Sequence, residues 1–246
     1  MIRIVRPVAP AVLTSEGAKK TKQDCIDYDA GKREFEFDNL VYGHADVKTT
    51  LVAMQHGKCC YCESDVRHVS PGDVEHYRPK SASQQTENTP LEKPGYYWLV
   101  YAWGNLLFAC DYCNRSCKKN FFPLDVHSTY CRSHNEDLSQ ERPLLIHPVI
   151  DNPQDFIAYR DEYAYPIKDN PRGKKTIEIF KLNERPELVE RRRNELEIVK
   201  CLHEIANLQM VSEQEREKAI ALVAAASLDE GEYAAMFRSA FIRKLP

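Results

Sequence analysis

The amino-acid sequence predicts a helix-rich α+β fold whose core contains a structural metal site. Apolar residues recur at helical spacing through the last third of the 246-residue chain, and short strand-like stretches interrupt its middle. The predicted metal ligands are the thiols of two Cys-x-x-Cys pairs, Cys59/Cys62 and Cys110/Cys113. A hydrophobic content of 43% suffices for a sizeable core, and only 9 glycines argue against Gly-rich nucleotide-binding folds.

The predicted elements of the first half surround these cysteines. A helix is predicted over Val41–Gln55, and the residues His56–Lys58 form the turn into the first cysteine pair. Residues 69–94 are rich in Ser, Pro, Thr, Gln and Glu, which predicts a loop with a short strand at Val74–His76. A buried helix is predicted over Tyr96–Phe108 from the spacing of Trp98, Leu99, Ala102 and Trp103.

The middle of the chain is predicted to change from strands to helices. Leu144–Ile146 and Asp155–Tyr165 have the composition of short strands. Asp169–Gly173 has the composition of a turn, and a helical pattern begins at Thr176.

Three further helices are predicted in the last third. The longest covers Pro186–Gln209, because proline suits a first helical turn and one face is apolar, formed by Leu196, Val199, Leu202 and Ile205. Ser212 and Glu215 form a capping box for the next helix, which extends to about Leu228. A last helix is predicted over Glu230–Arg243.

The cysteine pattern predicts a zinc site. Nine cysteines in a chain without a visible secretion signal favour metal ligation or burial over disulfides. Two Cys-x-x-Cys pairs provide the four thiolates of a tetrahedral structural Zn²⁺, so we assign Cys59, Cys62, Cys110 and Cys113 to zinc. An element is inserted between the pairs, because their separation exceeds that of a zinc ribbon. Cys60 and Cys117 remain alternative ligands.

Charge and hydropathy limit the location and the partners of the chain. The net charge of −3 and the pI of about 6.3 are unusual for a free-standing nucleic-acid binder, so binding requires a local basic patch or a partner. The longest uncharged run, Gly95–Cys110, is shorter than the ~20 residues that cross a bilayer. We therefore expect a cytoplasmic protein without membrane attachment.

The inserted element carries three polar motifs. Asp73–Lys80 reads Asp-Val-Glu-His-Tyr-Arg-Pro-Lys, Asn105 precedes two leucines, and Asn114 follows the second cysteine pair. An acid beside a histidine, then Asn-Leu-Leu, then Cys-x-x-Cys-Asn resembles the HNH endonucleases, the ββα-metal class, in their zinc-stapled form. The resemblance covers residues 56–124 and implies a metal-dependent nuclease with a ββα-metal core.

The chemistry of phosphodiester hydrolysis gives these residues their roles. The reaction needs an activated water and a cation that neutralises charge on the leaving oxygen. We assign His76 as the base, because a neutral imidazole accepts a proton near its pKa of ~6.5. Mg²⁺ or Mn²⁺ takes oxygen ligands, which assigns Glu75 to the cation. The resemblance implies that Asn105 orients His76 and that Asn114 is a second ligand.

Basic side chains are predicted to form a phosphate-facing patch. They follow the acid–histidine pair and the second cysteine pair closely, which favours a shared role over isolated surface charges. The predicted nucleic-acid contacts are Arg78, Lys80, Arg115, Lys118 and Lys119.

Longer strings resemble one branch of this class. Residues 57–63 (GKCCYCE), 74–80 (VEHYRPK), 113–124 and 144–148 (LLIHP) are similar to the HNH subunits of Septu-type anti-phage systems, the PtuB proteins, which also occur beside some retrons. The resemblance implies a partner, the PtuA ATPase of the ABC or OLD type, which restrains the nuclease.

Together with the sequence pattern, the resemblance divides the chain into four regions. Residues 1–55 form a helical lead-in, 56–124 the nuclease core, 125–185 a mixed strand and loop extension, and 186–246 a helical region. Because the last region has no catalytic motif, we propose that it docks the partner, with a plain helical scaffold as the alternative.

Three alternatives stay open at this point. DNA is the default substrate, but RNA, including tRNA, is not excluded. A zinc-knuckle nucleic-acid-binding or adaptor protein without catalysis is a second function, against which the intact motif residues argue. A zinc-dependent redox or transferase enzyme would use Cys59 or Cys60, but a closed four-cysteine site offers it no open metal position.

Overall fold

The computed structural model describes residues 1–242 and confirms the helix-rich α+β fold. Short π-helical segments accompany the α-helices. The helices are α1 (Ala18–Asp29), α2 (Asn39–Tyr42), α3 (Ala45–Met54), α4 (Pro171–Ile179), α5 (Pro186–Asn207), α6 (Glu213–Ala226) and α7 (Ala234–Phe237), and the π-helical segments are Leu13–Gly17, Tyr112–Lys118 and Arg238–Ile242.

A small antiparallel sheet lies at the centre of the inserted element. Strand β1 (Asp73–His76) pairs with β2 (Leu106–Ala109), with Asp73 opposite Ala109 and His76 opposite Leu106. The chain leaves β2 through Cys110 and enters the π-helical segment Tyr112–Lys118, which we call the knuckle helix. This order of strand, strand and helix agrees with the expected ββα arrangement.

The second sheet and the long helices follow the sequence pattern. Strand β3 (Ile157–Arg160) pairs with β4 (Tyr163–Pro166), which confirms the strands predicted within 155–165. Helix α5 begins at Pro186 and packs against α6, whose capping box joins Ser212 and Glu215 as predicted. Helix α4 begins at Pro171, earlier than predicted, because the Asn170 side chain caps it.

The predicted helix over Tyr96–Phe108 is wrong. The segment forms two 3₁₀ turns, Tyr97–Leu99 and Trp103–Asn105, and then enters β2. Much of it is buried, so the apolar spacing does not mark a helical face. The Asn105 side chain also bonds to the backbone of Arg78 and Leu99, which stabilises a turn in place of a helix.

Other predicted boundaries also change. The helix over Val41–Gln55 is broken at Gly43, which ends α2, and His44 then caps α3 by accepting the Asp46 amide. Leu144–Ile146 is not a strand, because its backbone bonds to groups other than a neighbouring strand. The partners are the Pro123 carbonyl, the Tyr77 hydroxyl and the Thr176 hydroxyl.

The C-terminal end of the described chain is part of the main core. Residues Tyr233–Phe237 are buried in one hydrophobic cluster with several aromatic rings and with six cysteines: Cys59, Cys60, Cys62, Cys110, Cys113 and Cys117. The Lys58 ammonium donates to the carbonyls of Asp229 and Gly231, both at 2.6 Å. The predicted helix over 230–243 appears as α7 and the following π-helical segment, and its predicted end at residue 243 lies outside the described residues.

A second, smaller hydrophobic cluster supports the other side of the β1–β2 sheet. It joins α3 to β2 through Val47, Leu51, Leu106 and Phe108. Within residues 1–242 no helix has the length and apolar character that crossing a membrane requires.

Candidate active site and metal centre

Four cysteines form a closed cluster. The Sγ atoms of Cys59, Cys62, Cys110 and Cys113 all lie within 4.8 Å of one another, and all four residues are buried. The Cys62 and Cys110 sulfurs are 3.8 Å apart, close to the ~3.8 Å edge of a tetrahedron with Zn–S bonds of ~2.3 Å. The cluster can hold a tetrahedral zinc ion with no open position.

The other neighbouring cysteines are outside this cluster. Cys60 and Cys117 are buried as well, but within residues 1–242 neither joins the group of four. The geometry therefore favours the predicted set of ligands over the two alternatives.

An arginine that the sequence did not single out lies against the cluster. Nη1 of Arg185, just before α5, is 3.3 Å from Sγ of Cys113, and the guanidinium lies 4.2 Å from the ring centroid of Tyr112. Its positive charge offsets the charge of the thiolates that a zinc site requires. Arg185 is far from Cys113 in the chain, so sequence spacing carries no signal for this contact.

His76 ends β1 with its imidazole fixed and buried. Nε2 lies 3.1 Å from the Val100 carbonyl, and the ring packs edge-on against Tyr42. Because a carbonyl only accepts, Nε2 carries the proton and donates it, which leaves Nδ1 as the proton-accepting nitrogen. Burial, with a smaller contribution from Lys80, holds the pKa of His76 well below 6.5. The imidazole is therefore neutral at pH 7.

The Asn105 side chain connects the segment that follows His76 to the turn that contains Leu99. Its Oδ1 accepts the Arg78 amide at 2.7 Å, and its Nδ2 donates to the carbonyls of Arg78 and Leu99. Leu99 precedes Val100, whose carbonyl accepts the proton of His76 Nε2. Asn105 thus fixes the backbone next to the carbonyl that His76 contacts.

Glu75 lies on the opposite face of β1 from His76, within the core. Its Oε1 is 2.7 Å from Nζ of Lys118 and accepts the Tyr61 hydroxyl at 3.2 Å. Burial raises the pKa of Glu75, although Lys118 opposes this shift. Lys118 is itself buried, and it also donates to the carbonyl of His76 at 2.8 Å.

The position of Lys118 differs from the expected phosphate contact. A lysine with 1% of its side chain exposed does not reach an external phosphate in this structure. It is the counter-ion of Glu75 and connects the knuckle helix to β1.

Asn114 lies beside a different carboxylate. Its Nδ2 is 2.9 Å from Oδ2 of Asp73, which Arg115 also contacts from Nε at 2.7 Å. Burial opposes ionisation of Asp73, but hydrogen bonds from Arg115 and Asn114 hold its pKa below the usual value. Asp73 and Glu75 share one face of β1 because strand side chains alternate, a signal that was available in the sequence.

The remaining basic residues divide by exposure. Arg78 donates to the buried Glu141 carboxylate at 2.8 Å, so it is a structural ion pair in this structure and not an open phosphate contact. Nζ of Lys80 lies 4.9 Å from the centroid of Tyr42 and is half-buried. Arg115 and Lys119 are exposed. Of the predicted patch, these two side chains are the most exposed, and the guanidinium of Arg115 is paired with Asp73.

The fold and the site define a class: a helix-rich α+β protein with a closed four-cysteine cluster beside a histidine–asparagine site on an antiparallel strand pair and a short helix. Comparisons with known proteins identify the family within it. The chain is 35% identical over 225 residues to Septu protein PtuB of Bacillus mycoides (strain KBAB4), covering 86% of this chain and 74% of that protein. It therefore belongs to the Septu PtuB family.

Two further relatives carry Septu names. Over 191 residues the chain is 29% identical to Septu protein PtuB of Bacillus thuringiensis, covering 77% of this chain and 57% of that protein. Over 137 residues it is 34% identical to Septu protein PtuA of Bacillus mycoides (strain KBAB4), covering 56% of this chain and 19% of that protein. No protein-family model and no solved structure match the chain.

Proposed function

We propose that this protein is the metal-dependent HNH endonuclease of a Septu anti-phage system, with DNA as its default substrate. The observation that carries the proposal is the state of His76. Its imidazole is neutral, and Nε2 donates its proton in a hydrogen bond to the Val100 carbonyl. The other ring nitrogen, Nδ1, can therefore accept a proton. This is the form that a general base needs at neutral pH.

The chain's own residues divide the work of hydrolysis. His76 Nδ1 takes the proton of the attacking water, and Asn105 keeps the imidazole oriented through the Leu99–Val100 segment. Asn114 and a carboxylate of β1 would hold Mg²⁺ or Mn²⁺, and the bound cation would supply neutralisation of charge on the leaving oxygen. Zn²⁺ on the four cysteines is structural, because the cluster has no open position.

Binding of nucleic acid needs more positive charge than the exposed patch supplies. Arg115 and Lys119 are exposed near the site, while the net charge of the chain is −3. Two exposed cations give weak, salt-sensitive binding to a phosphate backbone. A partner that contributes further contacts accounts for how this nuclease holds its substrate.

A PtuA-type ATPase is the partner we propose. A segment of this chain resembles part of a protein named Septu PtuA, which supports a link between the two proteins. Helices α5 and α6 expose apolar side chains, including Ile198, Ile220 and Leu222. We propose this helix pair as the docking surface, because it carries exposed apolar side chains and no residue of the proposed active site.

Two surface substitutions test the docking surface. Deleting residues 186–246 is unsuitable, because Tyr233–Phe237 belong to the main core. The variant Ile198→Glu with Ile220→Glu changes exposed positions only, and should fold with unchanged circular dichroism but lose co-purification with the PtuA-type protein. The matched control is Tyr163→Glu, an exposed apolar position on β4. Retained co-purification in the double variant contradicts the assignment.

The nuclease proposal is tested with a panel of substrates and cations. Plasmid DNA and total RNA are incubated with the protein, alone and with the PtuA-type ATPase, in Mg²⁺, Mn²⁺ or EDTA. We expect cation-dependent DNA cleavage that EDTA abolishes. Cleavage confined to RNA would assign the protein to the RNA-cleaving alternative. Binding without cleavage in every condition, with the partner present, would assign it to the adaptor alternative.

A further inference from the structure

The carboxylate that the sequence assigns to the catalytic cation is not available to it. Oε1 of Glu75 lies 2.7 Å from Nζ of Lys118, and both side chains are at most 2% exposed. Lys118 is also bonded to the His76 carbonyl, so its ammonium has two partners in the core. A cation at Glu75 would have to expel this buried counter-ion. Glu75 therefore does not fit a hard cation in this arrangement.

Asp73 offers a carboxylate where Glu75 does not. It lies two residues earlier on the same face of β1, and its Oδ2 is 2.9 Å from the carboxamide of Asn114. The two ends of a carboxamide have nearly the same shape, so a rotation turns the Asn114 oxygen toward the same point. A carboxylate and a carboxamide oxygen are ligands that Mg²⁺ and Mn²⁺ accept.

The counter-ion of Asp73 is able to leave. Arg115 contacts both carboxylate oxygens, from Nε at 2.7 Å and from Nη2 at 2.5 Å. Its side chain is 71% exposed, whereas Lys118 beside Glu75 is 1% exposed. Exposed ion pairs contribute little to stability because water screens them, so a divalent cation competes with Arg115 far more readily than with Lys118.

We propose that Asp73 and Asn114 form the cation-binding pair of this site, and that Arg115 occupies the Asp73 carboxylate until a cation displaces it. The displaced guanidinium stays at the rim of the site, one residue from Asn114. Its planar fork matches a phosphate, so the same movement that opens the cation site provides a contact for the substrate. The inference rests on the proposed nuclease for the substrate, but the binding of the cation is independent of it.

The test measures cation binding directly. Zinc-loaded protein is titrated with Mn²⁺, and free Mn²⁺ is counted from its electron paramagnetic resonance signal. We expect Asp73→Asn to weaken Mn²⁺ binding by about tenfold or more. We expect Arg115→Ala to tighten it several-fold, because a competitor is removed. The matched controls are Asp65→Asn and Arg67→Ala, which alter a similar exposed ion pair and should leave the affinity unchanged.

Several outcomes overturn the inference. It fails if wild-type protein binds no Mn²⁺, if Asp73→Asn binds Mn²⁺ as wild type does, or if Arg115→Ala does not bind more tightly. Glu75→Gln, checked for folding by circular dichroism and zinc content, should keep most of the affinity, and its selective loss would return the role to Glu75. Mn²⁺ bound through Asp73 without cleavage of any substrate would contradict the nuclease proposal alone.

Discussion

At the residue scale, the ion pair between Glu75 and Lys118 joins β1 to the knuckle helix inside the core. Taking two charges out of water is costly, and each of the two charges compensates for the burial of the other. Removing either partner would leave the remaining charge buried and unpaired. Sequence spacing suggested exposed roles for both residues, because an acid next to a histidine and a lysine one turn after Asn114 are typical of a phosphate site. Their burial depends on how the two elements pack, which the local pattern does not encode.

The first prediction concerns this pair. Lys118→Met should lower the free energy of unfolding by about 3–5 kcal/mol, because it leaves Glu75 buried without a counter-ion. The double variant Glu75→Gln with Lys118→Met should recover most of the loss. Urea unfolding of the zinc-loaded proteins measures both values. A loss of less than about 1 kcal/mol in Lys118→Met would show that the pair is not buried as described.

The second prediction concerns the pH dependence of catalysis. Burial lowers the pKa of His76 well below 6.5, so the neutral base persists as the pH falls below the ordinary value for histidine. In the proposed nuclease, kcat/KM should therefore be flat at pH 6.5 and decline only at lower pH. A profile measured at saturating Mg²⁺ checks this. A decline that is already half complete at pH 6.5 or above would contradict the environment assigned to His76.

At the element scale, the four cysteines hold the turn after α3 against the junction of β2 and the knuckle helix. A metal ion bound by these four cysteines would join the strand–strand–helix unit to the turn that precedes it. The order and spacing of the two Cys-x-x-Cys pairs were sufficient to predict that these four cysteines come together. They could not show that Arg185 contacts Cys113, since that contact depends on where α5 begins in space.

The third prediction concerns these four cysteines. Cys62→Ser and Cys113→Ser should lose bound zinc and unfold at lower temperature, whereas Cys117→Ala should keep one zinc per chain. Arg185→Ala should keep the fold but bind zinc about tenfold more weakly. The control is Arg193→Ala, which removes an arginine of α5 that pairs with Glu162. Zinc is measured by competition with a chromophoric chelator. Zinc retained in Cys62→Ser and lost in Cys117→Ala would reverse the ligand assignment.

The elements that the sequence predicted poorly share one physical feature. Tyr96–Phe108 is buried from several sides, so apolar periodicity loses its meaning, and hydrogen bonds of Asn105 decide the backbone path. By contrast, α5 and α6 have one covered and one open face, and their pattern and the Ser212 cap predicted them well. Periodicity is thus informative for amphipathic helices and ambiguous for segments that the core encloses.

At the scale of the whole molecule, distant segments meet beneath the β1–β2 sheet. His147 is buried, and its Nε2 lies 3.1 Å from the Gly104 carbonyl, in the turn next to Asn105. Asp151 accepts the His147 amide and pairs with Arg172 of α4. The extension after residue 124 therefore supports the loop that orients His76, a connection that no local motif in the sequence indicates.

The fourth prediction is a pH dependence of global stability. Burial lowers the pKa of His147 to about 4, so the imidazole stays neutral in the folded chain while an unfolded histidine protonates near 6.5. The unfolded state binds more protons between these values, so stability is lost as the pH falls from 6.5 toward 4. The contribution of His147 to this loss is about 3 kcal/mol.

Unfolding measured from pH 7 to pH 4 checks this contribution. His147→Gln removes the titrating group, so its stability should fall by about 3 kcal/mol less than that of wild type over the range. His127→Gln alters an exposed histidine and should follow the wild-type curve. Parallel curves for wild type and His147→Gln would contradict the burial of His147.

The central claim is that His76 is the base of a cation-dependent nuclease. The most direct measurement compares DNA cleavage by wild type, His76→Ala and His127→Ala, each with the PtuA-type partner and Mg²⁺, after zinc content and circular dichroism have been matched. We predict that His127→Ala cleaves as wild type does and that His76→Ala is slower by about 100-fold or more. Equal cleavage by wild type and a folded His76→Ala would contradict the account.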